Sequence, residues 1–117
     1  KLICEKLDYV GTLCVEFLIT NSNELLYNEQ SCRPHNSYWN SVNSHSVSQF
    51  QGHVRAVCGL DFVNNKKISN SEMYNILGFE ILEYRKKTFK KNEFFHDYQK
   101  KEPRDGRKMG HLTILKD

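Results

Sequence analysis

Ten consecutive residues, Asn28-Glu29-Gln30-Ser31-Cys32-Arg33-Pro34-His35-Asn36-Ser37, put a carboxylate, a guanidinium, an imidazole and an amide into one short stretch. Arg33 is of the type that grips a phosphate or carboxylate through two parallel N–H bonds, and His35 and Asn36 can orient what it grips. The plainer alternative is a polar loop pinned by Pro34. Upstream lies a second carboxylate, Glu16. If Glu16 and Glu29 sit on neighbouring strands they could share magnesium, a hard cation that takes oxygen ligands and bridges carboxylates to nucleotide phosphates, although exposed strand carboxylates are common without a metal. Near the end of the chain, Lys100, Arg104, Arg107 and Lys108 flank Gly106 and Gly110. Glycines let the backbone approach a ligand closely, and a phosphomonoester would suit the charges; a solvated basic turn is the alternative.

Two strands and a helix must position the first group. Leu13, Val15, Phe17 and Ile19 alternate with Thr12, Cys14, Glu16 and Leu18, the period of a strand, and Glu24–Glu29 resumes an extended pattern after the polar cluster Thr20–Asn23. Together they predict an antiparallel hairpin on which Glu16 and Glu29 can meet. Ser46 and Gln49 have the spacing of a capping box ahead of Val47, Phe50, Val54 and Val57 at helical intervals, with Gly59 as a stop signal. The expected helix runs from about Val47 to Cys58, weakened at Gly52. Asp61–Ser71 reads as a linker, which divides the chain into residues 1–62 and 63–117. Beyond it follow an apolar run near Met73–Leu77, a charged amphipathic segment at Glu80–Lys91, an extended run at Phe94–Tyr98, a turn at Pro103–Gly106 and a last strand near Met109–Leu115. Lys86, Lys87, Lys90 and Lys91 read as a solvated helix face.

Composition narrows the field. In 117 residues, 38% hydrophobic and 12% aromatic content argues for a folded chain of one domain or part of one. Lys and Arg number 17 against 14 Asp and Glu, a net charge of +3 that does not by itself point to nucleic acid. Cys4, Cys14, Cys32 and Cys58 are too widely spaced for a structural zinc site, and a disulfide framework is not expected, so a reducing cytosol is the simplest compartment. No apolar run reaches membrane length. His45, His53, His96 and His111 lack metal-ligand spacing and are read as structural. Tyr38 and Trp39 could stack on a base, but loop aromatics more often cover a core edge.

Taken in order, Gly11–Phe17, Asn28-Glu29, Arg33–Ser37, Ser48-Gln49-Phe50, His53–Val57, Asn75–Gly78 and Gly106–His111 resemble the N5-carboxyaminoimidazole ribonucleotide synthase family, in the ATP-grasp superfamily. The chain departs from the family pattern at Ser31-Cys32, where Ala-Pro is usual, at Tyr38-Trp39, where Gly-His-Trp follows the serine, and at Gln99, which replaces a glycine.

The resemblance implies an α+β fold: the C-terminal portion of an ATP-grasp domain, with antiparallel strands plus a helix, followed by a small mixed α/β subdomain. It implies an ATP-dependent carbon–nitrogen ligase of purine biosynthesis, which makes carboxyphosphate from ATP and bicarbonate and transfers the carboxyl group to 5-aminoimidazole ribonucleotide. Glu16 and Glu29 would hold Mg2+, Asn28 and Glu29 would belong to the ATP site, Arg33, His35 and Asn36 would be catalytic, and Lys100, Arg104, Arg107 and Lys108 would bind the ribonucleotide. The expected partners are these small molecules, the N-terminal and central ATP-grasp lobes, and a second copy in a homodimer, with no nucleic acid and no membrane. The chain, beginning at Lys1 without an initiator Met, is expected to be a C-terminal part that does not turn over alone; the alternatives are a non-catalytic phosphate- or nucleotide-binding module and, more weakly, a basic nucleic-acid binder.

Overall fold

The computed structural model describes residues 2–116. It forms two compact units, one running to Val42 and resuming over Ser46–Lys66, the other made of Asn43–His45 and the chain from Lys67 onward.

The first unit contains a short helix α1 (Leu2–Lys6), the strands β1 (Cys14–Ile19) and β2 (Leu25–Ser31), and the helix α3 (Gln49–Val57), preceded by a single turn α2 (Ser41–Ser44) whose last two residues belong to the second unit. β1 and β2 pair antiparallel, as the alternation predicts. Their connection is made by the polar cluster: Asn23 takes the left-handed conformation that Asn tolerates, its N–H donates to the Thr20 carbonyl at 2.9 Å, and the Thr20 hydroxyl accepts from Glu24 N–H at 3.0 Å. The helix starts later than the spacing suggests. Its cap is Ser48, not Ser46, and its capping box closes with Gln51, whose N–H donates to the Ser48 hydroxyl while its side chain accepts from Ser48 N–H. Gln49 is unavailable for that role because its amide is bound elsewhere. At the other end Gly59, at φ 63°, and Leu60 donate back to Ala56 and Arg55, the paired bonds of a glycine-terminated helix.

The second unit is a three-stranded antiparallel sheet of β3 (Asn70–Leu77), β4 (Glu93–Asp97) and β5 (Lys108–Lys116), with β5 in the centre. β3 begins at Asn70, opposite Lys116, so the last two residues of the expected linker are strand. One face buries Ile76, Met109 and Leu112 against Ile81 of the short helix α4 (Ile81–Tyr84), and Tyr84, Phe89, Phe95 and Ile114 extend this core. Gly110 has a packing reason: a Cβ there would come within 2.6 Å of the His96 carbonyl on β4. The closeness it permits is to its own sheet rather than to a ligand.

The expected lysine-bearing helix face is corrected. α4 ends at Tyr84, and Lys86, Lys87, Lys90 and Lys91 lie in the connection to β4. Arg85 is drawn onto Asp97 by two hydrogen bonds of 2.7 and 3.2 Å, and Phe89 returns to stack on Phe95 at 5.1 Å, which turns the chain before a second helical turn can form. All four cysteines are free, and no helix among the described residues is long and apolar enough to cross a membrane.

His111 and His96, neighbours across β5 and β4, stack with centroids 4.4 Å apart, and the Tyr98 hydroxyl lies 2.8 Å from His111 Nδ1. Burial, and then the neighbouring His96, lower His111 to about 4. Because this folded value lies below the unfolded one near 6.5, the unfolded chain binds the proton more readily. Stability from this group is present above about pH 6.5 and is lost as pH falls toward 4, by about 3 kcal/mol at most. Denaturant unfolding should therefore weaken between pH 6.5 and 4, and His111→Gln should flatten that interval. Asp97, lowered by its bond to Arg85, contributes a loss only at more acidic pH. An unchanged slope in His111→Gln would assign the acid sensitivity to other groups.

Candidate functional site: a carboxylate pair and a basic loop

Glu16 and Glu29 stand directly opposite each other across the hairpin. Like charges in that position repel and weaken a sheet, so the surrounding groups matter. The register shifts immediately after this pair: Glu16 faces Glu29 but Phe17 faces Tyr27, leaving Asn28 as the extra residue of a β-bulge. Regular alternation would send Asn28 and Glu29 to opposite faces. The bulge re-aims Asn28, whose amide donates to Glu16 Oε1.

His35 completes the group. Its ring is buried, with Nε2 2.8 Å from Glu29 Oε1 and Nδ1 3.8 Å from Glu16 Oε2. Nδ1 also accepts from Ser37 N–H at 3.4 Å and lies 2.8 Å from the Ser37 hydroxyl, which leaves the ring proton on Nε2, donated to Glu29. Glu16, Glu29 and His35 each present a ligand atom, all within 4.8 Å of one another. Two carboxylates with free lone pairs suit a hard divalent cation, and the imidazole serves better as the group that orients Glu29.

Of the other expected residues, Asn36 is half-buried and opens the 3-10 turn Asn36–Tyr38, its carbonyl accepting from Trp39 N–H at 3.2 Å. Arg33 is exposed and donates to the Pro34 carbonyl at 3.1 Å, within its own loop. Trp39 lies against Phe50 on α3, with ring centroids 5.9 Å apart. Sequence reasoning missed Gln49 as a member of this site: it is buried and both atoms of its amide bind the backbone of His35. The only available signal was its proximity to Ser48 at a helix start, which reads as capping. A cavity of about 570 Å³ in this unit is lined by Thr12, Leu13, Gly52, Arg55 and Phe62 among others, and not by Glu16, Glu29 or His35. Volume and chemistry therefore point to different places, and the donor atoms are the better guide.

In the second unit Lys100, Arg104 and Arg107 lie in the connection between β4 and β5, and Lys108 opens β5. Lys100 is half-buried, its ammonium donating to the Lys108 carbonyl and lying 5.4 Å from the centre of the Tyr98 ring. Arg104 and Arg107 both turn to Glu102, one to its carboxylate at 2.9 Å and the other to its carbonyl at 3.0 Å. Gly106 at φ 71° makes the turn that lets Arg107 N–H reach the Arg104 carbonyl. These four cations lie close together in sequence around one turn, where Glu102 holds Arg104 and Arg107.

A hairpin that presents facing carboxylates next to a histidine loop is compatible with an ATP-grasp lobe, and residues 1–50 match the ATP-grasp domain. Residues 71–117 match the phosphoribosylaminoimidazole carboxylase C-terminal domain. The chain belongs to the N5-carboxyaminoimidazole ribonucleotide synthase family. It is 42% identical over 111 residues to the synthase of Brucella melitensis, covering 94% of this chain and 30% of that protein, and 39% identical over 115 residues to that of Bacillus subtilis, covering 97% and 30%. The Staphylococcus aureus synthetase solved with ADP superposes with a TM-score of 0.85 at 35% identity, over 98% of this chain and 32% of that one. The Aspergillus clavatus synthase, solved with ADP and 5-aminoimidazole ribonucleotide, gives 0.80 at 27%, over 91% and 30%. The chain thus spans about 30% of the length of the curated relatives it matches.

The departure at Gln99 has a measurable consequence. Gln99 sits at φ 53°, where a side chain costs about 1–2 kcal/mol. Glycine would remove that strain at an entropic cost of about 0.5–1 kcal/mol, and the bond from the residue 99 N–H to Asp97 Oδ1, 2.7 Å, would remain. Gln99→Gly should therefore raise the melting temperature slightly, by the equivalent of about 0.5 kcal/mol. A lower melting temperature would show that Gln99 is held by contacts that outweigh the strain.

Proposed function

We propose that this chain supplies the metal- and phosphate-handling C-terminal portion of an ATP-dependent ligase that carboxylates 5-aminoimidazole ribonucleotide in a cytosolic step of purine synthesis. The observation that carries this reading is the convergence of Glu16, Glu29 and His35 donor atoms within 4.8 Å; family membership and relatives solved with ADP, ATP or the ribonucleotide support it.

In this reading Glu16 and Glu29 hold Mg2+, which when bound neutralises charge on the nucleotide's terminal phosphates. Asn28 steadies Glu16 and lines the ATP site with Glu29. His35 keeps Glu29 in place through Nε2–H and, with Arg33 and Asn36, faces the labile carboxyphosphate formed from bicarbonate. Attack by the ribonucleotide's exocyclic amine on the carboxyl carbon breaks the mixed anhydride, and phosphate leaves. Such chemistry relies mainly on positioning, on fixed charges and on the exclusion of water. Lys100, Arg104, Arg107 and Lys108 bind the ribonucleotide phosphate, which requires Arg104 and Arg107 to leave Glu102 or to bind alongside it. Turnover belongs to a protein that also carries the N-terminal and central lobes of the relatives, working as a homodimer without nucleic-acid or membrane partners.

In such a full-length protein, Glu29→Gln retains an acceptor for His35 but removes a charge, whereas Glu16→Asp keeps a charge at a shifted position. At limiting Mg2+, turnover should fall by at least about tenfold in Glu29→Gln and by less in Glu16→Asp. Wild-type rates for both would reduce the pair to ordinary surface carboxylates. Separately, calorimetric titration should show Arg107→Ala weakening the ribonucleotide by about tenfold or more, equivalent to one charged hydrogen bond, with little change for ATP. The Lys86→Ala, Lys87→Ala double variant should bind both ligands normally, since Lys87 rests over the Tyr84 ring at 4.2 Å, away from the basic loop in sequence and contacts. The reverse ranking would return Arg107 to the solvated turn.

A further inference from the structure

Gln49 begins α3, at a position where polar side chains ordinarily face water, yet it is only 7% exposed. Its Oε1 accepts from His35 N–H at 2.8 Å and its Nε2 donates to the His35 carbonyl at 2.7 Å. His35 is extended, at φ −116° and ψ 146°, and in that conformation a residue's N–H and C=O project to the same edge. One planar amide can therefore bridge both, as a neighbouring strand would. The amide is itself held in place: Gln49 N–H donates to the hydroxyl of fully buried Ser41 at 3.1 Å, and the Thr12 hydroxyl donates to the Gln49 carbonyl at 3.1 Å.

We infer that Gln49 is a positioning residue for His35, fixing the backbone from which the imidazole reaches between Glu16 and Glu29. The inference rests on the proposed role of those three residues and extends it, since none of the motif residues anchors His35 in this way. With both backbone groups of His35 pinned to the helix, the direction of its Cα–Cβ bond is set. Only the ring rotamer is then left to be chosen, and Ser37 on Nδ1 and Glu29 on Nε2 choose it. An apolar residue at position 49 would fill the space equally well, but it would leave the His35 N–H buried without its partner and the His35 carbonyl with Tyr38 N–H alone, at 3.1 Å.

The test uses this chain labelled with 15N on histidine, in two variants. Gln49→Met keeps length and removes both bonds. Gln49→Glu keeps the shape and can still accept from His35 N–H, but sets an oxygen against the His35 carbonyl. Circular dichroism and Trp39 fluorescence report the fold. In the wild type the ring nitrogens of His35 should show a single tautomer protonated at Nε2, with an Nε2–H signal protected from exchange. In both variants that signal should broaden or vanish and the two nitrogens should average, while the signals of His53, His96 and His111 stay put. Manganese titration read by electron paramagnetic resonance should show Gln49→Met weakening Mn2+ binding several-fold, and weakening it no further once His35 is Gln. An unchanged His35 tautomer in folded variants overturns the inference, as does an equal loss of Mn2+ affinity with and without His35. Failure of both variants to fold overturns it too, assigning Gln49 to the fold. The ring signal judges Gln49 even if wild-type chain does not bind Mn2+, a result that would instead count against the proposed function.

Discussion

Two carboxylates facing each other across a hairpin are an electrostatic liability, and much of the first unit is arranged around that liability. Glu16 and Glu29 occupy the last regular pair before the register breaks. The bulge delivers Asn28 to Glu16, and the loop that follows β2 returns His35 to Glu29. Each carboxylate thereby gains one donor and keeps lone pairs to spare, which lowers the repulsion and leaves both carboxylates free to accept further bonds. Had the strands kept the register set at the turn, Glu16 would face Asn28 and Glu29 would fall on the opposite face, away from Glu16. The irregularity therefore does local chemical work that an ideal ladder could not.

The second unit solves a different problem, that of presenting cations on a firm base. Its central strand β5 is buried along Met109–Thr113, and the absence of a side chain at Gly110 lets β4 close against it. The loop above is short of freedom for a basic loop: Lys100 binds the Lys108 carbonyl, and Gly78 N–H donates to Arg107 O at 2.8 Å, tying the loop to the end of β3. The backbone of this turn is thus ordered while the side chains of Arg104 and Arg107 stay exposed.

The hairpin, the helix with its glycine stop and the last two strands were legible from periodicity and punctuation, whereas β3 read only as an apolar run and the α+β class came from the family resemblance. The hairpin made a meeting of Glu16 with Glu29 conceivable, but the register set at the turn, with Ile19 opposite Leu25, would pair Glu16 with Asn28, and it is the bulge that brings Glu29 there. The bulge was not legible, since nothing in Tyr27-Asn28-Glu29 marks an inserted residue. The lysines of residues 86–91 misled because their spacing suits a helix, whereas a salt bridge and an aromatic stack at long range decide where the chain turns. Gln49 was hidden for a related reason. A serine and a glutamine at a helix start suggest capping, and only tertiary structure shows which glutamine caps and which reaches back to His35. The functional types in the Arg33–Ser37 loop were visible by composition, but their division of labour was not: Arg33 folds onto Pro34 while His35 goes inside.

The two units also differ in what their interiors are made of. Among the described residues the buried hydrophobic side chains Ile76, Ile81, Met109 and Leu112 all belong to the second unit. The first buries His35, Ser41, Ser48 and Gln49, and exposes Phe17, Leu18, Ile19, Leu25, Leu26 and Tyr27 along its hairpin. Apolar burial stabilises without regard to direction, whereas buried hydrogen bonds contribute little net stability but penalise any displaced geometry heavily. A unit held mainly by the latter gains orientation more than strength. That suits a site whose task is to keep a carboxylate pair and an imidazole in fixed relation, because the arrangement that is costliest to disturb is the one that sets where the donor atoms lie.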